Sequence, residues 1–212
     1  MLGNEKDSFF YAKSKTEDIE SLIRLQSLGF QLIDTNLLFE WIPLNKMNPL
    51  EIGFEYETRF AKSSDRSEVE RIASNNFFYS RFHLDPKIPN RFANEIKKQW
   101  ASNFFQGIRG DSMVVSVFRD QAVGFCQVFY QEEKIYIDLI AVDSDHQRKG
   151  LAASMIKFIA LENLGSVFRV GTQVSNLPSI RTYEKIGFRI SDSYYTLHYH
   201  GMVDSLNENS KI

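Results

Sequence analysis

The feature that most constrains this chain is a predicted β-strand, residues 135–142, that runs through a short basic turn into a helix. The first turn of a helix presents free N–H groups and the positive end of the helix dipole. Gly150 opens this helix, and its lack of a Cβ would let a ligand approach the backbone closely. Arg148 and Lys149 add positive charge, and the small Ala152 keeps the next turn open. The turn predicts a pyrophosphate site, although an ordinary amphipathic helix with a solvated basic N-terminus has the same local pattern.

The predicted elements around this turn indicate a mixed α/β fold. Three strands with short links, at 113–118, 123–130 and 135–142, favour an antiparallel meander. A helix at 150–164 and a strand at 167–174 complete a strand–helix–strand step, which predicts a parallel pair. The other predicted elements are strands at 30–39, 56–61 and 193–199 and helices at 18–28, 64–73 and 176–187, with one more helix from residue 89.

The helix that begins at residue 89 carries a large apolar residue at every fourth position, which predicts its packed face. These residues are Phe92, Ile96, Trp100 and Phe104. Lys97 and Lys98 are predicted to lie on the opposite face.

The chain of 212 residues is long enough for a main domain and a small additional unit. Residues 1–53 are predicted to form an N-terminal β-α-β unit and a linker, because residues 43–53 are rich in proline and asparagine. Residues 54–205 form the predicted main domain. Since the N-terminal unit is too small to bury a core alone, we expect it to pack on the main domain.

The composition excludes several classes of function. The chain has 25 Lys+Arg against 27 Asp+Glu, a net charge of −2, which argues against a nucleic-acid partner. No apolar run approaches the roughly 18 residues of a membrane span, and the charged N-terminus does not have the pattern of a signal peptide. The single cysteine, Cys126, excludes a disulfide framework and fits a reducing compartment. We therefore expect a cytoplasmic protein that acts on a small molecule, and a homodimer stays open.

A second motif makes the pattern specific. Asn176 opens a predicted helix that ends in a Tyr-Glu-Lys-Ile-Gly-Phe string at residues 183–188. The earlier turn has a Gln-x-x-Gly-x-Ala pattern at Gln147, Gly150 and Ala152. With this spacing the two motifs resemble those of the GNAT superfamily of acetyl-CoA-dependent N-acetyltransferases.

The resemblance extends over about residues 56–200 and implies a fold and a co-substrate. The fold is a mostly antiparallel sheet in which the strands at 135–142 and 167–174 splay apart like a V. Acetyl-CoA would insert its pantetheine arm there, paired with backbone groups like an added strand. The implied acetyl-CoA-binding residues are Leu139, Ile140, Ala141, Val142, Gln147, Arg148, Lys149, Gly150, Leu151, Ala152, Asn176 and Tyr183.

The resemblance also implies the roles of three groups in catalysis. Tyr183 would be the general acid for the departing thiolate, a task for which a phenol is suited. The alternative is a half-buried tyrosine that packs on the sheet. A backbone N–H near Val142 would stabilise the oxyanion. Asn176 would contact the cofactor, cap its helix, or do both. The sequence identifies no general base.

Nothing in the sequence predicts a metal site. None of the four histidines shows the spacing of a paired metal-ligand motif. His198 and His200 alternate on one face of the last strand, but no third ligand is evident nearby. Cys126 is interpreted as a core residue, because it lies inside a buried strand without a neighbouring base.

The acceptor side is implied to lie in the connection between the first two helices of the main domain. That segment is rich in aromatic rings, which can stack on a nucleotide base, and it contains an arginine suited to a diphosphate. Asp85 or His83 could bond to sugar hydroxyls or to the amine. The candidate substrate-binding residues are Phe78, Tyr79, Arg81, Phe82 and His83.

A closer resemblance favours one acceptor class. The Ser-Arg-Phe string at residues 80–82 and the later Trp100 are similar to features of dTDP-fucosamine acetyltransferases. This implies a nucleotide-linked amino sugar of the dTDP-4-amino-4,6-dideoxyhexose type, and a role in cell-surface polysaccharide biosynthesis. Three alternatives stay open: an aromatic mini-core instead of an acceptor site, another amine acceptor (a protein amine, a polyamine or an aminoglycoside), and a non-catalytic acetyl-CoA-binding module.

Overall fold

A computed structural model describes residues 7–44 and 53–202 of the chain. The strands are β1 (Asp7–Lys15), β2 (Gln31–Trp41), β3 (Tyr56–Phe60), β4 (Ser112–Phe118), β5 (Gln121–Gln131), β6 (Lys134–Val142), β7 (Val167–Gln173) and β8 (Arg189–Met202). The α-helices are α1 (Ile19–Ser27), α2 (Arg66–Asn75), α3 (Arg81–Leu84), α4 (Asn90–Ser102), α5 (Leu151–Leu161) and α6 (Leu177–Ile186). Among these described helices, none has both the length and the apolar character that a membrane span requires.

All eight strands form one sheet in the order β1-β8-β2-β7-β6-β5-β4-β3. Strands β4 to β6 are the predicted antiparallel meander, β3 pairs antiparallel with β4 at its edge, and β6 and β7 form the predicted parallel pair. The expected mixed α/β fold is therefore confirmed.

The N-terminal β-α-β segment is built into this sheet. Strand β2 lies between β7 and β8 and is antiparallel to both, while β1 pairs with the outer edge of β8. Residues 45–52, which contain most of the predicted linker, lie outside the described residues. The division of the chain at residues 53 and 54 stays a prediction.

The sheet has a hydrophobic core on each face. Neighbouring residues Val114 and Val115 of β4 point to opposite faces, one into each core. The first core, against α5 and α6, contains Phe39, Cys126, Met155, Ile156, Phe168 and Phe188, and the second, against α2 and α4, contains Val69, Ile72, Ala101, Met113 and Phe125. Burial of each valine, isoleucine, methionine or phenylalanine side chain among them contributes about 1.5–3 kcal/mol. Phe39 of β2 is fully buried in the first core, so the N-terminal segment contributes to it directly.

A β-bulge in β6 changes which face its side chains meet. Ile135 and Ile137 pack in the first core, whereas Leu139 and Ala141 pack in the second. In a regular strand these four residues would share one face. The pairing with β5 skips Asp138, and this extra residue moves the following side chains to the other face.

The prediction for the exposed face of α4 is wrong at Lys97. Only 8% of Lys97 is exposed, whereas 52% of Phe92 is exposed. The buried positions of α4 include Ala93, Lys97 and Ala101. The aliphatic part of Lys97 is buried on the same side of the helix as the two alanines, and its ammonium faces the rings of Phe77 and Trp100.

Candidate active site

Strands β6 and β7 pair only along their first halves. Their parallel register runs from Lys134 opposite Val167 to Ile137 opposite Val170. Beyond that point β6 continues beside β5, and β7 continues beside β2. The β7-facing backbone edge of residues 138–142 therefore has no strand partner in the described part of the chain. This opening is the splay that the sequence resemblance implies.

The residues of this free edge offer backbone rather than side chains to a ligand. Leu139 and Ala141 are buried in the second core, and Ile140 and Val142 pack against the first. An extended ligand between β6 and β7 would thus meet the N–H and C=O groups of β6, as an added strand does.

The basic turn lies at the end of β6. Gly150 is the N-cap of α5 with φ of 80°, and a Cβ built on it would meet no atom within 4 Å. Arg148 also has a positive φ, of 62°. Residues 147–150 are all exposed, so the turn leaves open space in front of the first N–H groups of α5, as an anion site requires.

Three residues in or next to this turn, Gln147, Lys149 and Leu151, contact other parts of the protein. The Gln147 side-chain amide donates to the Val142 carbonyl oxygen at 3.1 Å, which folds it back onto the end of β6. Lys149 Nζ donates to the Tyr56 hydroxyl at 2.7 Å. Leu151 is buried at 2% exposure, so its side chain belongs to the packing of α5 against β3 and not to an open surface.

Tyr183 lies on the inner side of α6 and is 4% exposed. Its ring contacts those of Phe39 and Phe188 at centroid distances of 5.7 and 5.6 Å. Burial raises the pKa of Tyr183, and the Cys126 thiol beside it acts in the same direction. The phenol therefore keeps its proton at neutral pH. Its ring is part of the first core.

Asn176 is the N-cap of α6. Its side-chain oxygen accepts from Ser179 N at 3.4 Å, and its amide donates to Thr172 Oγ1 at 2.9 Å. The capping role predicted for Asn176 is confirmed, and its amide ties the start of α6 to the end of β7.

A cleft of about 620 Å³ opens where β6 and β7 part. Ile137 and Asp138 of β6 and Gly171 of β7 line its floor, directly beside the end of the parallel pairing. The remaining lining residues are Lys13, Asn36, Ser80, Arg81, Phe82, Lys97, Trp100, Asp111, Phe129, Tyr130, Gln131, Tyr136 and Gln173. The cleft thus connects the V to α3 and α4.

One charged pair within the cleft wall is already satisfied. Arg109 meets Asp138 through two hydrogen bonds, at 2.8 and 2.7 Å. Gln127 donates to the same carboxylate at 2.9 Å, and the Arg109 guanidinium lies 4.2 Å from the centre of the Trp100 ring. This network holds the bulge of β6 against α4.

The sequence of this chain matches a known enzyme family. A model of the Acetyltransferase (GNAT) family matches residues 74–188, just over half of the chain. The chain belongs to the GNAT family. The prediction of an acetyl-CoA-dependent N-acetyltransferase is confirmed at the level of this family.

Individual relatives of this GNAT chain agree with the assignment. The spore coat polysaccharide biosynthesis protein SpsD of Bacillus subtilis (strain 168) is 28% identical over 197 residues, which cover 92% of this chain and 67% of SpsD. A solved GCN5-related N-acetyltransferase from Sphaerobacter thermophilus has a TM-score of 0.66 at 13% identity, over 93% of this chain and 61% of that one. Another from Kribbella flavida has a TM-score of 0.60 at 13% identity, over 89% and 67%. These two structures establish likeness of fold.

The GNAT fold brings only some of the predicted acceptor residues to the cleft. Arg81 and Phe82, at the start of α3, line it. Phe78 is 64% exposed, and neither it nor Tyr79 is among the lining residues. His83 accepts from Ser80 Oγ at 2.6 Å and donates to Asn94 Oδ1 at 2.8 Å, so both of its nitrogens are occupied in holding α3 against α4.

A buried histidine cluster anchors the same segment. Asp85, which follows α3, accepts from His198 Nδ1 at 2.6 Å and from His200 Nε2 at 2.7 Å through one oxygen. These three potential metal ligands lie within 4.8 Å of one another, but the two imidazoles meet the carboxylate directly. We interpret the cluster as a latch between α3 and β8. The absence of a metal site stays a prediction.

The burial of two charged residues near the cleft, Asp138 and Lys97, was not predicted from the sequence. Asp138 interrupts an otherwise apolar strand, and a buried carboxylate implies a partner. Asp138 therefore indicated that a cationic partner exists, and the structure shows that this partner is Arg109. Lys97 gave no such signal, because a lysine on an amphipathic helix is normally solvated.

Proposed function

We propose that this chain binds acetyl-CoA in the opening between β6 and β7, with the pyrophosphate at the turn before α5, and transfers the acetyl group directly to an amine. The observation that carries the proposal is that the β6–β7 pairing ends at Ile137 and Val170. Beyond the end of β6, Gly150 has a positive φ and open space where a Cβ would be. A Cβ at Gly150 would occupy space that the phosphates need. The first-turn N–H groups of α5, with Arg148 nearby, would hold their charge.

The chemistry assigned to the protein is positioning and proton transfer. The acceptor amine, entering through the cleft, attacks the thioester carbonyl, the C–N bond forms and the C–S bond breaks. A backbone N–H of the free β6 edge near Val142 stabilises the oxyanion. Tyr183 donates its proton to the departing sulfur, and the amine loses one proton to water. Because both substrates meet where β6 and β7 part, their proximity supplies much of the rate advantage.

For the acceptor we propose a nucleotide-linked amino sugar of the dTDP-4-amino-4,6-dideoxyhexose type. Arg81 and Phe82 at the cleft supply the cation and the ring that such an acceptor needs. The name of SpsD, a polysaccharide biosynthesis protein, supports an acceptor of this class. Phe78, Tyr79 and His83 belong to the same segment, and His83 holds α3 against α4 through its bonds to Ser80 and Asn94. The reaction would take place in the cytoplasm.

The acetyl-CoA site is tested by Gly150→Asp, with Gly150→Asn as the matched control. Both side chains impose the same strain at φ of 80°, and both residue types tolerate this conformation. Only aspartate adds a negative charge beside the phosphates. Calorimetry should show a much larger loss of acetyl-CoA affinity for Gly150→Asp than for Gly150→Asn. Equal affinities in the two variants would remove the pyrophosphate from this turn.

The acceptor is tested by thiol release with nucleotide-linked and free amino sugars. The free sugar should be nearly inert, because binding energy from the nucleotide orients the reacting amine. Arg81→Ala should lower kcat/KM for the linked sugar by roughly 10- to 150-fold, with the KM for acetyl-CoA almost unchanged. Equal turnover of both sugars would favour another amine acceptor, and acetyl-CoA binding without turnover of any amine would favour a non-catalytic module.

A further inference from the structure

We propose that Lys97 and Arg81 form an oxyanion-binding subsite in the cleft, which takes the diphosphate of the acceptor. Lys97 is then a specificity-determining residue. The subsite itself follows from the charges and burial described below. Its assignment to the acceptor rests on the proposed function.

Lys97 is a buried cation without a counterion. It is 8% exposed, and in the described residues no carboxylate forms an ion pair with it. Its ammonium lies 4.6 Å from the centre of the Trp100 ring and 4.9 Å from that of Phe77. A buried ammonium is costly unless an anion pairs with it, and the two ring faces offset that cost only in part.

The carboxylate of Asp138 cannot act as this counterion. Asp138 attracts Lys97 electrostatically, but both of its oxygens are engaged by Arg109, and one also by Gln127. Burial lowers the pKa of Lys97 to about 8, with the charges of Arg109 and Arg81 acting in the same direction. Lys97 therefore still carries its proton for most of the time at neutral pH, and a bound oxyanion would complete its pairing.

Arg81 supplies a second cation that, like Lys97, faces an aromatic ring. Its guanidinium lies 3.8 Å from the centre of the Tyr11 ring, and no carboxylate among the described residues pairs with it. Arg81, Lys97 and Lys13 all line the cleft. A diphosphate spreads its negative charge over several oxygens. Three cations in one cleft therefore suit a diphosphate ligand better than a ligand with a single carboxylate.

The position of the subsite relates it to acetyl transfer. The same cleft is lined by Ile137 and Gly171, where β6 and β7 part. An acceptor whose diphosphate is held at Lys97 can therefore extend along the cleft toward the V. Lys97 acts on binding and orientation and takes no part in the bond changes.

Tryptophan fluorescence gives a direct test, because the chain has only two tryptophans, Trp41 and Trp100. In a Trp41→Phe background the signal comes from Trp100, which contacts Lys97. Inorganic pyrophosphate is titrated, with malonate as a carboxylate comparison, into protein saturated with CoA so that the turn at Gly150 is filled. We expect pyrophosphate to bind more tightly than malonate.

Lys97→Met keeps the length of the side chain and removes the charge, and Lys98→Met is the matched control at a more exposed site, with 38% side-chain exposure. Lys97→Met should weaken pyrophosphate binding by about tenfold or more without lowering the melting temperature. Lys98→Met should leave it unchanged. Lys97→Arg should retain most of the affinity, which a purely structural role for Lys97 would not predict.

The outcomes separate this proposal from the proposed function. If CoA does not bind to the intact protein, the proposed function fails. The titration is then repeated in a Gly150→Asp background, in which the added negative charge keeps pyrophosphate away from the turn. The effect of Lys97→Met on pyrophosphate binding can still be measured there. If pyrophosphate binds Lys97→Met as tightly as the parent protein, the subsite is overturned. Tighter binding of malonate than of pyrophosphate would overturn the assignment to a diphosphate.

Discussion

Tyr183 combines core packing with a proton that is held at neutral pH. Its ring touches Phe39 and Phe188, and burial raises its pKa. Tyr183→Phe keeps the ring and removes the proton, so melting temperature and acetyl-CoA affinity should change little. If Tyr183 is the general acid, kcat should fall by about 10²–10⁴. Steady-state kinetics with acetyl-CoA as donor measures this loss.

The leaving group distinguishes a chemical role for Tyr183 from a packing role. An acetyl thioester with a more acidic thiol needs less help from a proton donor, so the loss caused by Tyr183→Phe should shrink with that donor. An equal loss with both donors, or no loss with either, would contradict the general-acid assignment.

At the scale of elements, we expect the latch between α3 and β8 to make the stability of the fold sensitive to acid. Burial by itself raises the pKa of Asp85, but hydrogen bonds from His198 and His200 outweigh it and the pKa is lowered. Burial lowers the pKa of His198. The unfolded chain therefore takes up a proton at His198 below about pH 6.5 before the folded chain does, and the fold loses stability as pH falls.

The free energy of unfolding should thus decrease between pH 7 and pH 5, and His198→Gln should flatten this profile. One histidine contributes at most about 1.4 kcal/mol per pH unit. Burial also lowers the pKa of His83, so part of the slope should remain in the variant. Urea denaturation at several pH values measures it. Parallel profiles for the two proteins would show that His198 does not titrate differently on folding.

At the scale of the whole molecule, the N-terminal segment supplies a central strand. Strand β2 pairs with β7 on one side and β8 on the other, and Trp41 contacts Phe168 and Phe188 across the core. A chain that begins at Glu55 lacks β1 and β2, so one edge of β7 and both edges of β8 lose their partners. It also removes Phe39 from the core, and this loss alone costs about 3–5 kcal/mol. We expect it to lose cooperative unfolding, as measured by circular dichroism and gel filtration.

Coexpression provides the control for this truncation. Residues 1–54 supplied as a separate chain should restore solubility, because they replace the two missing strands, β1 and β2. A truncated chain that melts cooperatively and binds acetyl-CoA would instead support an independent domain from residue 54 onward.

The sequence by itself determined the features whose causes lie within a few residues. The backbone at Gly150, where α5 begins, has a positive φ that favours glycine. The cap of α6 at Asn176 needs a short polar side chain. The end of α6 at Gly187 needs a residue that adopts the left-handed conformation. These local requirements predicted the helices and strands around the V and, with their spacing, the GNAT family.

Only the tertiary structure decided the features that depend on distant partners. The place of β2 between β7 and β8 follows from pairing across most of the chain, and Asp85 meets His198 from 113 positions away. The bulge at Asp138 and the burial of Lys97 depend on which elements pack above them. Side-chain type and helical period do not encode such neighbours, and for this reason the cations of the cleft became visible only when the chain was folded.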